Sequence, residues 1–285
     1  MISFPKLGAY GRLGNQLFQY AFVRSTAERL GTRFHCPAWV GDRVFQLDDA
    51  ALRAAPQPLP KTWRSSFLDV GFEPDALCIE DGTEIYGFFQ SARCFDAEAV
   101  RRWYRFREEA VAGVAARYAH VDFADTVALH LRFGDKRTSA RFYLPRPRFY
   151  LDALRNLVPA RRHILVFSDD RRRSRSYLRG LPAHAHFVSG NEPYEDLYLM
   201  SRCRDFVGSS STLAWWGAWL DARADKTVIV PAEGLFRPGG PRVATDYWPE
   251  GWIRVRGLSP LQGYRVARLR QLARGALRRE LVRAH

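Results

Sequence analysis

Three short stretches of this chain hold residues whose types and spacing could do chemistry. The first is "TVALHLRFGDK", residues 126–136. Val127, Leu129 and Leu131 alternate with Ala128 and His130, as in a buried strand, and Arg132 and Asp135 then follow around Gly134. A guanidinium at the end of a core strand is costly unless an anion or a hydrogen-bonding partner meets it. A phosphate, which arginine can grip with two parallel bonds, is the favoured partner. An internal ion pair between Arg132 and Asp135 is the competing reading. His130 reads as a hydrogen-bonded core histidine rather than a base, with no metal-ligand spacing around it.

The second stretch is "GAYGRLGNQLFQY", in which Gly11 and Gly14 bracket Arg12 and Asn15–Gln16 open a helix. Glycines allow a tight turn, and a helix start offers free N–H groups to a polar ligand. A purely structural turn with a capping Asn explains the same residues equally well. The third stretch is "GSSSTLAWWGAWL". Ser210, Ser211 and Thr212 stand at a strand-to-helix junction, where hydroxyls can cap the helix or donate to phosphate oxygens. Capping accounts for one of these hydroxyls, not for three in a row. Trp215, Trp216 and Trp219 serve packing.

Several patterns are missing. The spacing Gly8–Gly11–Gly14 is not the dinucleotide fingerprint, and no GxxxxGK[ST] occurs. No Asp-x-Asp occurs either, so a diphosphate here would be neutralised by arginine and helix starts, with no metal and no cofactor.

These residues need elements to position them. At 285 residues and 47% hydrophobic content, the chain can bury the cores of two domains. From residue 123 it alternates strands with helices: strands at 126–131, in "RHILVFSDD", in "AHFVSG", in "DFVGSSS" and lastly in "KTVIVPA". That order implies a parallel sheet covered by helices, with ligands beyond the carboxyl ends of its strands. Arg132, Ser168–Asp170 and Ser209–Thr212 all fall at such ends. The first half is less regular. "ISFPKL", "RFHCPA" and "TEIYGFFQS" read as strands, "NQLFQYAFVRSTAERLG" as a helix stopped by Gly31, residues 54–66 as a proline-rich loop and 96–118 as one helix. The domains expected are 1–122, 123–258 and a basic amphipathic C-terminal helix within 259–285.

The net charge of +14 comes almost wholly from arginine, since Lys6, Lys61, Lys136 and Lys226 are the only lysines. Residues 264–285 carry seven arginines against Glu280. Two readings of that helix stand level: packed on the body with a solvated basic face, or resting on an anionic membrane surface. No nucleic-acid motif accompanies the charge, so a specific nucleic-acid partner is not expected. The start lacks the plan of a signal peptide and no apolar run is long enough to span a bilayer. Cys36, Cys78, Cys94 and Cys203 form no CxxC pair, which speaks against a disulfide framework or a zinc site and for a reducing cytoplasm.

Together the three motifs resemble the GDP-fucose-dependent α-1,2-fucosyltransferases of glycosyltransferase family 11, across nearly the whole chain. The family pattern "G-G-L-G-N-Q-x-F-Q-Y-A" corresponds to "GRLGNQLFQYA", and "G-Y-F-Q-S" to "GFFQS" at 87–91. "H-x-R-R-G-D" corresponds to "HLRFGD" at 130–135, "N-S-S-F-S-W-W-G-A-W-L" to "SSTLAWWGAWL" at 210–220, and the closing motif to "DYWPEGW". The resemblance implies a GT-B-like α/β fold, two Rossmann-like domains facing across a cleft, with 1–122 as the acceptor-side domain and 123–258 as the GDP-sugar-binding domain. It implies inverting, metal-independent transfer of L-fucose from GDP-fucose to a glycan acceptor, an oligosaccharide or lipid-linked glycan, at O2 of a galactoside. Arg132, Asn15 and Asp135 would be the catalytic residues. Arg12, Gly14, His130, Asp169, Ser210, Ser211, Thr212 and Gln90 would bind substrate, with Asp169 at the nucleoside. Two departures stand out: Phe133 occupies the position of a second arginine, which Arg12 could replace, and Ser210 and Leu213 occupy the positions of Asn and Phe. Another GDP-linked deoxysugar or L-sugar as donor is the alternative within the class. A non-catalytic carbohydrate-binding relative and a basic RNA-binding protein are the alternatives outside it.

Overall fold

In a computed structural model, the described residues are 1–65, 72–134, 142–157, 163–223, 225–236 and 246–256. The expected basic helix at 264–285 and the catalytic candidate Asp135 lie outside them. The chain divides into two compact α/β units. The first runs to Tyr118 and takes in two later segments, Glu192–Tyr198 and, among the described residues, 246–249; the second holds the remainder. A division by sequence order alone does not capture those returning segments.

The second unit is built on six strands: β5 (Thr126–Leu131), β6 (His163–Ser168), β7 (Ala185–Phe187), β8 (Asp205–Val207), β9 (Val228–Pro231) and β10 (Ile253–Val255). All pair in parallel, in the order β10-β9-β8-β5-β6-β7. This is the doubly wound Rossmann arrangement, whose chain reverses direction across the sheet between β5 and β8. Every residue of β5 is buried, as a central strand covered on both faces requires. Val127, Leu129, Leu131 and Phe133 pack with Phe149, Tyr150 and Ala153 of a helix over Pro147–Leu157. Trp215, Trp216 and Trp219 are buried, so the tryptophan cluster belongs to the core.

The first unit has four parallel strands in the order β2-β1-β4-β3: β1 (Ile2–Ser3), β2 (Phe34–His35), β3 (Lys61–Arg64) and β4 (Thr83–Tyr86). Helix α1 (Leu13–Leu30) is buried nearly all round along its first turns and ends at Gly31, whose φ of 62° provides the left-handed cap. Three expectations need correction. The loop expected over 54–66 contains β3, an exposed edge strand paired with β4 along its whole length. The single helix expected over 96–118 is two, α3 (Ala97–Trp103) and α4 (Glu108–Arg117), with α2 (Val40–Val44) before them. The chain breaks between α3 and α4 because Arg105 and Arg107 spend their backbone groups on Gln46 and Val44. The strand in "KTVIVPA" is followed by one more, β10, at the sheet edge.

Candidate functional site

The point where the second sheet reverses lies beyond the carboxyl ends of β5 and β8, and the strand-end motifs converge there. Two bonds lock the ends together: His130 Nδ1 meets Ser209 Oγ at 3.0 Å, and the Ser209 N–H donates to the His130 carbonyl at 3.0 Å. His130 is buried, in keeping with a structural histidine. One residue past the strand, Arg132 Nη1 donates to Asp169 Oδ2 at 2.5 Å. The other oxygen of Asp169 accepts the Phe133 N–H at 2.9 Å. Asp169, expected at the nucleoside, thus uses both oxygens to fix the strand end and the guanidinium. Gly134 closes the assembly, since a Cβ there would lie 2.8 Å from Asp169 Oδ2 and 2.9 Å from Arg132 Nη2. Next door, Ser168 Oγ accepts from the Asp170 N–H and contacts Ser174 Oγ, and Asp170 caps the helix α6 over Arg171–Tyr177. (The helix over Pro147–Leu157 is α5, and the one over Pro193–Arg202 is α7.)

The hydroxyl run sits on the β8 side. Ser209 and Ser210 are fully buried, Ser211 is nearly so and Thr212 is partly exposed. Ser211 is the N-cap of helix α8 (Thr212–Trp219), yet its side chain makes no capping bond. Its hydroxyl is therefore not committed to the helix start, and the first-turn N–H groups of α8 add positive potential beside it.

Phe133 is buried and stacks edge-on against Tyr177, with ring centroids 5.2 Å apart. The Arg173 guanidinium carbon lies 6.0 Å from the Phe133 ring centroid. Arg173 also borders a groove of about 730 Å³ with Arg172, Arg179, Ser176, Tyr177 and Asp170. Three guanidinium groups against one carboxylate make it cationic.

In the first unit the sheet reverses between β1 and β4, and here the polar groups are amides. Asn15 Oδ1 accepts from Gln90 Nε2 at 3.0 Å, joining the start of α1 to the segment after β4. Gln16 Nε2 donates to the carbonyls of Gly8 and Gly11, and Gln19 Nε2 to those of Tyr10 and Gly87. Gly11 has φ of 90°, and a Cβ on it would lie 2.7 Å from Asn15 Nδ2. Arg12 is exposed at the N-cap position, and Gly14 is buried in the first turn. Sequence reasoning passed over Gln16 and Gln19 as positioning residues. The available signal was two glutamines on the buried face of an apolar helix, where each amide must find partners.

The structure therefore brings together Arg132 with Asp169, His130 with Ser209, and Asn15 with Gln90. Among the described residues, no group of three His, Cys, Asp or Glu side chains could hold a metal ion. Burial pushes the thiols of Cys36, Cys94 and Cys203 up to about 12, so none offers a thiolate nucleophile at neutral pH. No helix among the described residues is long and apolar enough to cross a membrane.

Comparison with known proteins agrees with this picture. The sequence profile described as "Glycosyl transferase family 11" matches residues 104–252. An O-antigen biosynthesis glycosyltransferase, WbnK, of Escherichia coli is 28% identical over 60% of this chain, and the match spans 62% of that protein. An alpha-1,2-colitosyltransferase of the same organism is 24% identical over 86% of this chain and 96% of its own length. Among solved structures, the NodZ alpha-1,6-fucosyltransferase soaked with GDP-fucose aligns with a TM-score of 0.51 at 16% identity, over 77% of this chain and 91% of that one. NodZ from Bradyrhizobium as the Se-Met protein gives 0.52 at 15% identity, over 84% and 95%. At these identities the likeness shows the fold, which is GT-B-like.

Proposed function

The chain belongs to glycosyltransferase family 11, and from that premise we propose that it transfers L-fucose from GDP-fucose to a glycan hydroxyl, O2 of a galactoside, with inversion and without a metal ion. The observation that carries this reading is the assembly at the end of β5: a guanidinium oriented by Asp169, beside a helix start rich in hydroxyls. The acceptor oxygen attacks the anomeric carbon from the face opposite the diphosphate. The bond from that carbon to the phosphate oxygen breaks, its electron pair leaves with GDP, and the acceptor hydroxyl passes its proton to a carboxylate base or to water. The developing charge on the leaving diphosphate is the main barrier, and donors placed in advance lower it. Arg132 meets that charge. Ser210, Ser211, Thr212 and the first-turn N–H groups of α8 bind the phosphates, while His130, bonded to Ser209, holds the two strand ends in register. Asp169 acts as a positioning residue. Asp135, the motif carboxylate, lies outside the described residues and keeps the catalytic role that the resemblance implies. The family resemblance assigns the remaining donor-side contacts to Arg12, Gly14, Asn15 and Gln90.

Metal independence is supported by the commitment of Asp169, whose two oxygens accept from Arg132 and the Phe133 N–H, and by a guanidinium that can itself neutralise an anion. Incubation with GDP-fucose and lactose in EDTA tests the reading: GDP should be released with the fucosyl product, and Arg132→Ala should abolish the release. GDP release that survives Arg132→Ala would refute it. A colitosyl donor is the second reading, favoured by the relative of that name, which aligns over nearly its full length. A lipid-linked glycan acceptor would place the enzyme at a membrane surface through its basic segment 264–285. Binding to anionic vesicles that is lost when those arginines become glutamine tests this.

A further inference from the structure

Beyond the carboxyl ends of β1 and β2, within the first unit, lies a cavity of about 530 Å³ that borders the glycine motif at Gly8, Leu13 and Gln16. Its size falls within the roughly 300–1,000 Å³ of small-molecule sites, and strand ends of parallel sheets are where such sites form. Leu7, Leu13 and Trp39 form its apolar wall and are themselves buried, so the wall is fixed. Trp39 stacks on Tyr20 with ring centroids 5.2 Å apart, and it covers Gly41 so closely that a Cβ there would lie 2.2 Å from the indole. On the remaining side stand Arg43, Glu192 and Tyr194, with the Arg43 guanidinium carbon 5.9 Å from the Tyr194 ring centroid.

From this we infer that the cavity is the acceptor site, and that it takes a neutral pyranose, the terminal sugar of the glycan acceptor. The inference rests on the glycosyltransferase reading above and adds the place and chemical class of the second substrate. A pyranose has an apolar C–H face that lies against an aromatic ring, and a rim of hydroxyls that both donate and accept. Tyr194 supplies the ring. The Arg43 guanidinium and the Glu192 carboxylate supply a donor set and an acceptor set at the rim. One cation against one anion leaves no excess charge for a phosphate, in contrast to the groove bordered by Arg172, Arg173 and Arg179 in the second unit. The cavity also borders the loop before α1, where Gln16 fixes the carbonyls of Gly8 and Gly11, so a sugar seated there lies beside the loop that carries Arg12.

The experiment uses the full chain and saturation-transfer NMR with methyl β-D-galactopyranoside, alongside transfer kinetics with lactose. In the wild-type protein, magnetisation should reach the pyranose ring protons. Tyr194→Ala and Arg43→Ala should each weaken binding and raise the KM for lactose about tenfold, with the KM for GDP-fucose changed less than about twofold. Tyr194→Phe, which keeps the ring, should retain most of the binding, and circular dichroism checks that each variant folds. Three results would overturn the inference: no saturation of the galactoside by wild-type protein, saturation that neither alanine variant reduces, or contact only with the alkyl protons of an octyl glucoside. Galactoside binding with the predicted losses, but no cleavage of GDP-fucose or a GDP-colitose donor, would keep the cavity's assignment and refute the transfer reaction instead.

Discussion

The two sheets reverse direction at equivalent places and furnish them with different chemistry. At the ends of β5, β6 and β8 the polar groups are a guanidinium, two carboxylates and a run of hydroxyls, with Arg132, Asp169, Asp170 and Ser209 bonded to side-chain or backbone partners. At the ends of β1 and β4 they are largely neutral amides, whose N–H groups donate to backbone carbonyls or to another amide. A diphosphate leaving group needs positive charge held in place before the bond breaks, and in the proposed reaction Arg132 supplies it. The amide lattice of the first unit carries no such charge. It sets the shape of a loop, and shape is what an uncharged sugar substrate requires. The same topology thus carries a fixed guanidinium–carboxylate assembly in one unit and an amide lattice in the other.

Substitutions can break this contrast or sharpen it. Arg132→Ala should have the largest effect, a loss of about 10³-fold in kcat, or about 4 kcal/mol of transition-state stabilisation. Single-turnover measurement with saturating donor would show it. Placing the family's usual arginine at position 133 should fail for a different reason. Phe133 is 2% exposed in the second unit's core, and Phe133→Arg should cost about 3 kcal/mol or more of folding stability, read from chemical denaturation. In the first unit, Gln19→Leu removes the donor shared by the Tyr10 and Gly87 carbonyls. It should lower stability by about 1–3 kcal/mol and raise the lactose KM more than the donor KM. Gly134→Ala should fold normally yet reduce kcat/KM for GDP-fucose about tenfold, because its Cβ presses on both Arg132 and Asp169.

Much of this contrast is legible in the sequence. Arg132, the serine run and the glycines around Arg12 announce themselves because their residue types are unsuited to the strand and helix interiors that they adjoin. The alternation of strands and helices after residue 123 carries the parallel sheet for the same reason, each element being long or flanked by clear stops. Less legible is what depends on partners far along the chain. Asp169 meets Arg132 across 37 residues, and Gln90 meets Asn15 across 75, separations that no local pattern encodes. β3 is hidden because an exposed edge strand after a proline-rich run lacks the alternation of a buried one. The break between α3 and α4 is set by backbone bonds to Val44 and Gln46, and the intervening residues contain neither glycine nor proline to mark it. The cavity beside Trp39 draws on three separate stretches of chain, so its sequence shows only scattered prolines and aromatics.

The most direct test of the account is the affinity of the protein for GDP, measured by isothermal titration calorimetry in EDTA for the wild-type chain and for Arg132→Ala. The account predicts binding that EDTA leaves intact and that Arg132→Ala weakens by about 30-fold or more, as expected for losing a charge-assisted bidentate contact. GDP binding that requires magnesium, or that is equally tight without the guanidinium, would contradict it.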